Sequence, residues 1–217
     1  MDSGLSFSAA AGSPGPRTQG RDAGAGGARG PAGGPAASQP GQIAEGALCD
    51  LIRSRIRDVP DFPGPGIVFK DITPLLADPA AFGAVVRALA SGHGRVDKVA
   101  GIEARGFILA APVACLLGAG FVPVRKHGKL PAATHAQTYD LEYGSATVEV
   151  HRDAFARGDR VLIVDDVLAT GGTARATADL IHRAGGDVTA VAVLLEFGFL
   201  SEKGSLADLN LRPLLRV

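Results

Sequence analysis

The stretch from Val161 to Thr177, VLIVDDVLATGGTARAT, holds the residues best equipped for chemistry. Apolar residues run straight into two adjacent carboxylates, Asp165 and Asp166, followed by Ala169, Thr170, Gly171, Gly172 and Thr173. A buried strand that ends at the acids would set both at the edge of a sheet. The glycine pair lets the backbone approach an anion and adopt dihedrals closed to other residues. A helix starting there aims its unpaired amides and positive dipole end at that anion, and the hydroxyls of Thr170 and Thr173 add donors. These parts describe a pocket for a terminal phosphate, with two carboxylates about one ribose-length away. No Gly-Lys-Ser/Thr follows, so the loop is not that of a P-loop ATPase or kinase. A lone Gly-Gly-Thr would read as an ordinary strand–turn–helix joint; the paired acids at fixed distance argue for function.

The elements that must position this loop follow from hydrophobic period. Ile43, Ala47, Leu48, Leu51, Ile52 and Ile56 recur at helical spacing. VPDFPGPG (59–66) breaks that helix, and a short apolar stretch at 67–69 follows. Asp78-Pro79 is an N-cap with proline at the first helical position, opening a helix to about Ser91. Strand-like 96–102 leads to a helix from Arg105 to Leu117, then strand-like 121–125. The polar stretch from Lys126 to about Asp140 shows no period, and strand-like pieces are expected near 139–143 and 146–150. Residues 160–166 form a buried strand, 172–184 a helix and 187–197 another strand. Alternating strands and helices imply right-handed crossovers and a central parallel sheet, an α/β fold. Ligands of such sheets bind at the carboxyl ends of the strands.

Composition sets the frame. Of 217 residues, 46% are hydrophobic and 20% charged, enough for a sizeable core. Lys+Arg and Asp+Glu both number 22, a formal net charge of zero, which argues against a sequence-independent grip on nucleic acid. Cys49 and Cys115 have no metal-ligand spacing and are expected to be reduced core thiols. No apolar run reaches the roughly 18 residues of a membrane span, and no secretory leader is legible, so a cytoplasmic protein is expected. Residues 1–42 are Gly, Ala and Pro with a few Arg and Ser, too poor in apolar surface to offset the entropy of ordering. They are expected to form a disordered tail on one domain spanning 43–217; a transit peptide, a regulatory arm or a translated upstream region are the other readings.

With these residues in view, the acidic strand end and its glycine loop resemble the phosphoribosyl-pyrophosphate signature of type I phosphoribosyltransferases. Ile43 to about Phe199 is similar to the adenine-specific members, carried by PDFPGPGIVFKDITPLL (60–76), GIEARGF (101–107), RKHGKLP (125–131) and LEYG (141–144). The resemblance implies a mostly parallel central sheet flanked by helices, a small N-terminal hood segment and a mobile lid loop. It implies that Ala169–Thr173 take the 5-phosphate and that Asp165 and Asp166 hold the ribose hydroxyls. Ala104, Arg105 and Lys129 would face pyrophosphate, a role suited to a permanently charged, forked guanidinium. An isolated Arg-Gly would be a surface arginine, and Arg125, Lys126, His127 and Lys129 alone would be a solvated charge run. Tyr139, Glu142 and Tyr143 would come down with the lid, Glu142 as acid/base candidate; outside the family context Tyr143 is a strand aromatic and Glu142 an edge charge. Val68, Phe69 and Lys70 would recognise adenine, with 195–197 across the base. Many relatives carry arginine where Lys70 stands, and lysine lacks its planar fork. Magnesium and a homodimer are further implications. Transferases for hypoxanthine/guanine, xanthine or orotate are the rivals within the class. A regulator that keeps the pocket as a sensor needs a nucleic-acid-binding element that this sequence does not offer.

Overall fold

Two hydrophobic layers sandwich a seven-stranded sheet, and the sequence of the central strands explains why. The computed structural model describes residues 45–140, 144–198 and 206–217. In chain order these form α1 (Glu45–Ser54), β1 (Arg57–Pro60), β2 (Val68–Asp71), α2 (Thr73–Ala77), α3 (Pro79–Ala90), β3 (Lys98–Ile102) and α4 (Arg105–Leu117). Then follow β4 (Gly120–Lys126), β5 (Thr134–Asp140), β6 (Ser145–His151), β7 (Arg160–Leu168), α5 (Gly172–Arg183), β8 (Asp187–Glu196) and β9 (Leu211–Arg216). The sheet runs β5-β6-β4-β3-β7-β8-β9. β4, β3, β7, β8 and β9 are mutually parallel, whereas β6 pairs antiparallel with both β4 and β5.

β7 is apolar from Val161 to Val164 because both of its faces are covered there. Leu162 and Val164 enter the layer built by α1, α2, α3 and α4, which includes Ile52, Leu75, Val85, Leu89 and Leu109. Val161 and Ile163 enter the opposite layer with Leu180 and Ile181 of α5. β8 repeats the division, with Leu194 on the first side and Val191 and Val193 on the second. Each such fully buried aliphatic side chain stabilises the fold by about 1.5–3 kcal/mol relative to exposure.

The expected helices at 79–91 and 105–117 are present, and Asp78 caps α3 by accepting from the amides of Ala80 and Ala81. Three expectations need correction. The polar stretch after Lys126 is not irregular to Asp140: β5 pairs residue for residue with β6 from Thr134↔His151 to Asp140↔Ser145. Its side chains carry almost no apolar alternation, so the ladder, not hydrophobic period, makes the strand. Cys115 is exposed on α4 and so is not a core thiol, whereas Cys49 is partly buried and packs against the core. Finally, α2, β1 and β9 had no expected counterpart. β1 and β2 form a separate antiparallel pair across the proline-rich break, the place of the expected hood. The expected roles of Glu142 and Tyr143, the tail at 1–42 and the expected helix start at Ile43 lie outside the described residues.

Candidate active site

β3 and β7 are adjacent parallel strands, with Gly101 opposite Val164. From β3 the chain passes through α4 to β4 on one side; from β7 it passes through α5 to β8 on the other. The two exits therefore diverge, leaving a crevice at the carboxyl ends, where α/β sheets bind ligands. A cavity of about 410 Å³ opens there, lined by Ala104, Arg105, Lys126, Tyr139, Asp165 and Asp166 among others. A smaller recess beside it is shaped by Ala169, Thr170, Gly171 and Thr173.

α4 can start this close to β7 only because residue 106 is glycine. A Cβ at Gly106 would meet Asp165 Oδ1 at 2.8 Å and the Val164 carbonyl at 3.0 Å. Gly171 caps α5 with a left-handed φ of 91°, a conformation that costs glycine little. Beyond it the amides of the first helical turn have no intrahelical acceptor, and Thr173 and Ala174 of that turn line the recess. Leu206 packs against the same glycine, where an added Cβ would collide with its Cδ1.

Asp165 accepts the backbone N–H of Asp166 at 2.8 Å. Burial pushes its carboxyl well above the usual range, and the neighbouring Asp166 charge pushes the same way. Burial also raises Asp166, against the opposing pull of Arg105. Arg105 Nε stands 2.8 Å from Asp166 Oδ2, an ion-pair distance. The N–H is not aligned on that oxygen, which is buried without a hydrogen bond. The Arg105 guanidinium also lies over the Phe69 ring, 5.0 Å from its centroid. Phe69 is thus brought to Arg105 from a hairpin 36 residues away in sequence.

The other candidates divide. Tyr139 reaches the edge of the Ala169–Thr173 recess, its hydroxyl accepting from Thr173 at 2.9 Å. Val68 is exposed at 51% on β2, and Lys70 is committed to Asp58 across the β1–β2 ladder at 2.7 Å. Lys129 sits exposed on the turn after β4, where its carbonyl accepts from Arg125; the lysine that lines the cavity is Lys126. Sequence reasoning missed Gly106, Leu206 and the Tyr139–Thr173 pair. The glycine had a signal in Arg-Gly at a helix start, but partners 34 residues apart have none. Among the described residues there is no group of three or more His, Cys, Asp or Glu able to hold a metal.

This combination, a diverging crevice with paired acids and a glycine-capped recess, defines the type I phosphoribosyltransferase fold. Residues 74–205 match the phosphoribosyl transferase domain family. Adenine phosphoribosyltransferase of Thermobifida fusca (strain YX) is 63% identical over 169 residues, 77% of this chain and 96% of its own length. The crystal structure of adenine phosphoribosyltransferase from Rhodothermus marinus DSM 4252 superposes with a TM-score of 0.75 at 49% identity, covering 79% of this chain and 99% of that one. The Saccharomyces cerevisiae enzyme, solved with an imino-altritol bisphosphate and adenine, superposes with a TM-score of 0.74 at 34% identity, covering 78% and 99%. The chain belongs to the adenine phosphoribosyltransferase family.

Proposed function

We propose that this chain transfers the 5-phosphoribosyl group of phosphoribosyl pyrophosphate to adenine, forming AMP and diphosphate in purine salvage. A bond forms from adenine N9 to the anomeric carbon as the bond from that carbon to pyrophosphate oxygen breaks. The electron pair leaves with pyrophosphate, and the N9 proton is released. The reacting carbon passes through a cation-like state, so the protein's task is electrostatic. The observation that carries this reading is the adjacency of the Asp165–Asp166 pair, Arg105 and the Gly171-capped recess.

In this reading the amides of Ala169–Thr173 receive the 5-phosphate, and the two aspartates hold the ribose hydroxyls and favour positive charge nearby. Ala104, Arg105 and Lys129 take pyrophosphate, with Lys126 beside them. Val68, Phe69 and Lys70 receive the base, Phe69 by stacking, with 195–197 on its other side. Glu142 is the acid/base candidate, and Tyr139 and Tyr143 belong to the lid. Magnesium would be held mainly by pyrophosphate and ribose oxygens and by water, with Asp165 and Asp166 reaching it through ribose or water. When bound, the ion neutralises charge on the leaving group. The domain is read as 43–217 with 1–42 as an appended tail.

A cytoplasmic homodimer completes the proposal. No described helix is long and apolar enough to cross a membrane. Ile108 and Leu116, two turns apart on α4, and Phe121 on β4 are exposed apolar residues that suit a second copy.

Product formation from phosphoribosyl pyrophosphate with magnesium, offering adenine, hypoxanthine, guanine, xanthine and orotate in parallel, tests the reading. AMP from adenine alone is the expected result, and it should vanish with EDTA. Turnover of another base overturns the base assignment. Binding of phosphoribosyl pyrophosphate without turnover of any base would favour a sensor.

A further inference from the structure

Glu149 is a buried acid that the proposed chemistry leaves unused. It sits on β6 between Val148 and Val150, opposite Arg125 of β4, and is only 4% exposed. Its described partners all lie in the turn that follows β4. Oε1 is 2.6 Å from His127 Nδ1; a carboxylate can only accept, so Nδ1 carries the proton. Oε2 accepts the Gly128 amide at 3.0 Å. Gly128 has a φ of +74°, a left-handed conformation that costs glycine little.

The turn is fixed from its other side by Glu103 on the loop after β3. Glu103 Oε2 accepts the Lys126 amide at 2.9 Å and Arg125 Nε at 3.2 Å. Arg125 then donates from Nη1 to the Lys129 carbonyl at 3.0 Å. Two carboxylates thus hold a short segment that bears Lys126, which lines the cavity, and Lys129. A strand needs no acid at such a position, since an apolar residue of similar volume avoids the cost of burying charge. The acid is explained by the turn it holds.

We propose that Glu149 is the positioning residue of the pyrophosphate-binding turn, fixing the lysines of residues 126–129 relative to Arg105. The proposal rests on the reading that pyrophosphate lies against Ala104, Arg105 and Lys129. Misplacing bound charges by about 1 Å costs on the order of ten- to a hundredfold.

The test is a four-way comparison of KM, for phosphoribosyl pyrophosphate and adenine forwards and for AMP and pyrophosphate backwards. Glu149→Ala should raise KM about tenfold for the two pyrophosphate-bearing ligands and leave AMP and adenine within about twofold. Glu149→Gln should recover most of the loss, because its amide oxygen still accepts from Gly128. If Glu149→Ala does not fold, His127→Ala, at an exposed side chain, removes one contact and should raise the pyrophosphate KM about threefold. Equal shifts in all four constants, or a fall in kcat alone, overturn the proposal as a merely structural effect. Lys129→Ala separates the two claims. Normal pyrophosphate KM in Lys129→Ala overturns the reading and the proposal together. A defect there with normal kinetics in folded Glu149→Ala overturns the proposal alone.

Discussion

Asp165 and Asp166 sit where ionisation is disfavoured, and that has a measurable cost. A carboxyl whose folded pKa lies above its unfolded value stabilises the fold only while protonated. That contribution is complete below about pH 4 and is lost as pH rises through the raised folded value. Above that value an ionised Asp165 costs the fold stability. Asp165→Asn should raise Tm by about 3 °C at pH 7.5, with the gain shrinking toward pH 4, while turnover collapses. Thermal melts across pH check it; an unchanged or lower Tm at pH 7.5 counts against it. The acids and the glycine loop were legible because they are contiguous in the chain. Pairs such as Thr173–Tyr139, Lys70–Asp58 and His127–Glu149 were not, because separations of 34, 12 and 22 residues leave no local pattern.

Helices and doubly buried strands were legible because one face or both faces of an element imprint a period on its residues. α4 and β7 show this, as does the Asp78 cap of α3. β5 and β9 had no such imprint: one is a polar strand held by a ladder, the other a six-residue edge strand interrupted by Pro213. The junction of α4 with β7 yields the sharpest expectation at this scale. Gly106→Ala forces a Cβ to within 2.8 Å of Asp165 Oδ1 and 3.0 Å of the Val164 backbone, so the first turn of α4 must move. Because that turn carries Arg105, kcat/KM for phosphoribosyl pyrophosphate should fall about a hundredfold, with Tm lowered by several degrees. Wild-type kinetics in Gly106→Ala would show that the contact is relieved without moving the arginine.

The crevice between β3 and β7 follows from strand order, so it is a property of the whole sheet rather than of any loop. Gly41–Val217 form a compact unit of their own. A chain starting at Ile43 should therefore keep kcat and both KM values; a loss of activity would give residues 1–42 a part in the reaction. Light scattering should return twice the chain mass, and Leu116→Asp should halve it; an unchanged mass would place the contact elsewhere. The position of Arg105 reaches further still. One guanidinium touches an acid assigned to the sugar and covers the ring assigned to the base, so occupancy of one subsite is felt at the other. An anion that draws Arg105 off the ring frees a stacking surface. Thermodynamic linkage then requires that pyrophosphate tighten adenine binding by the same factor by which adenine tightens pyrophosphate. Titration calorimetry of each ligand with and without the other would give that common factor, and a factor of one would mean that the two subsites act independently.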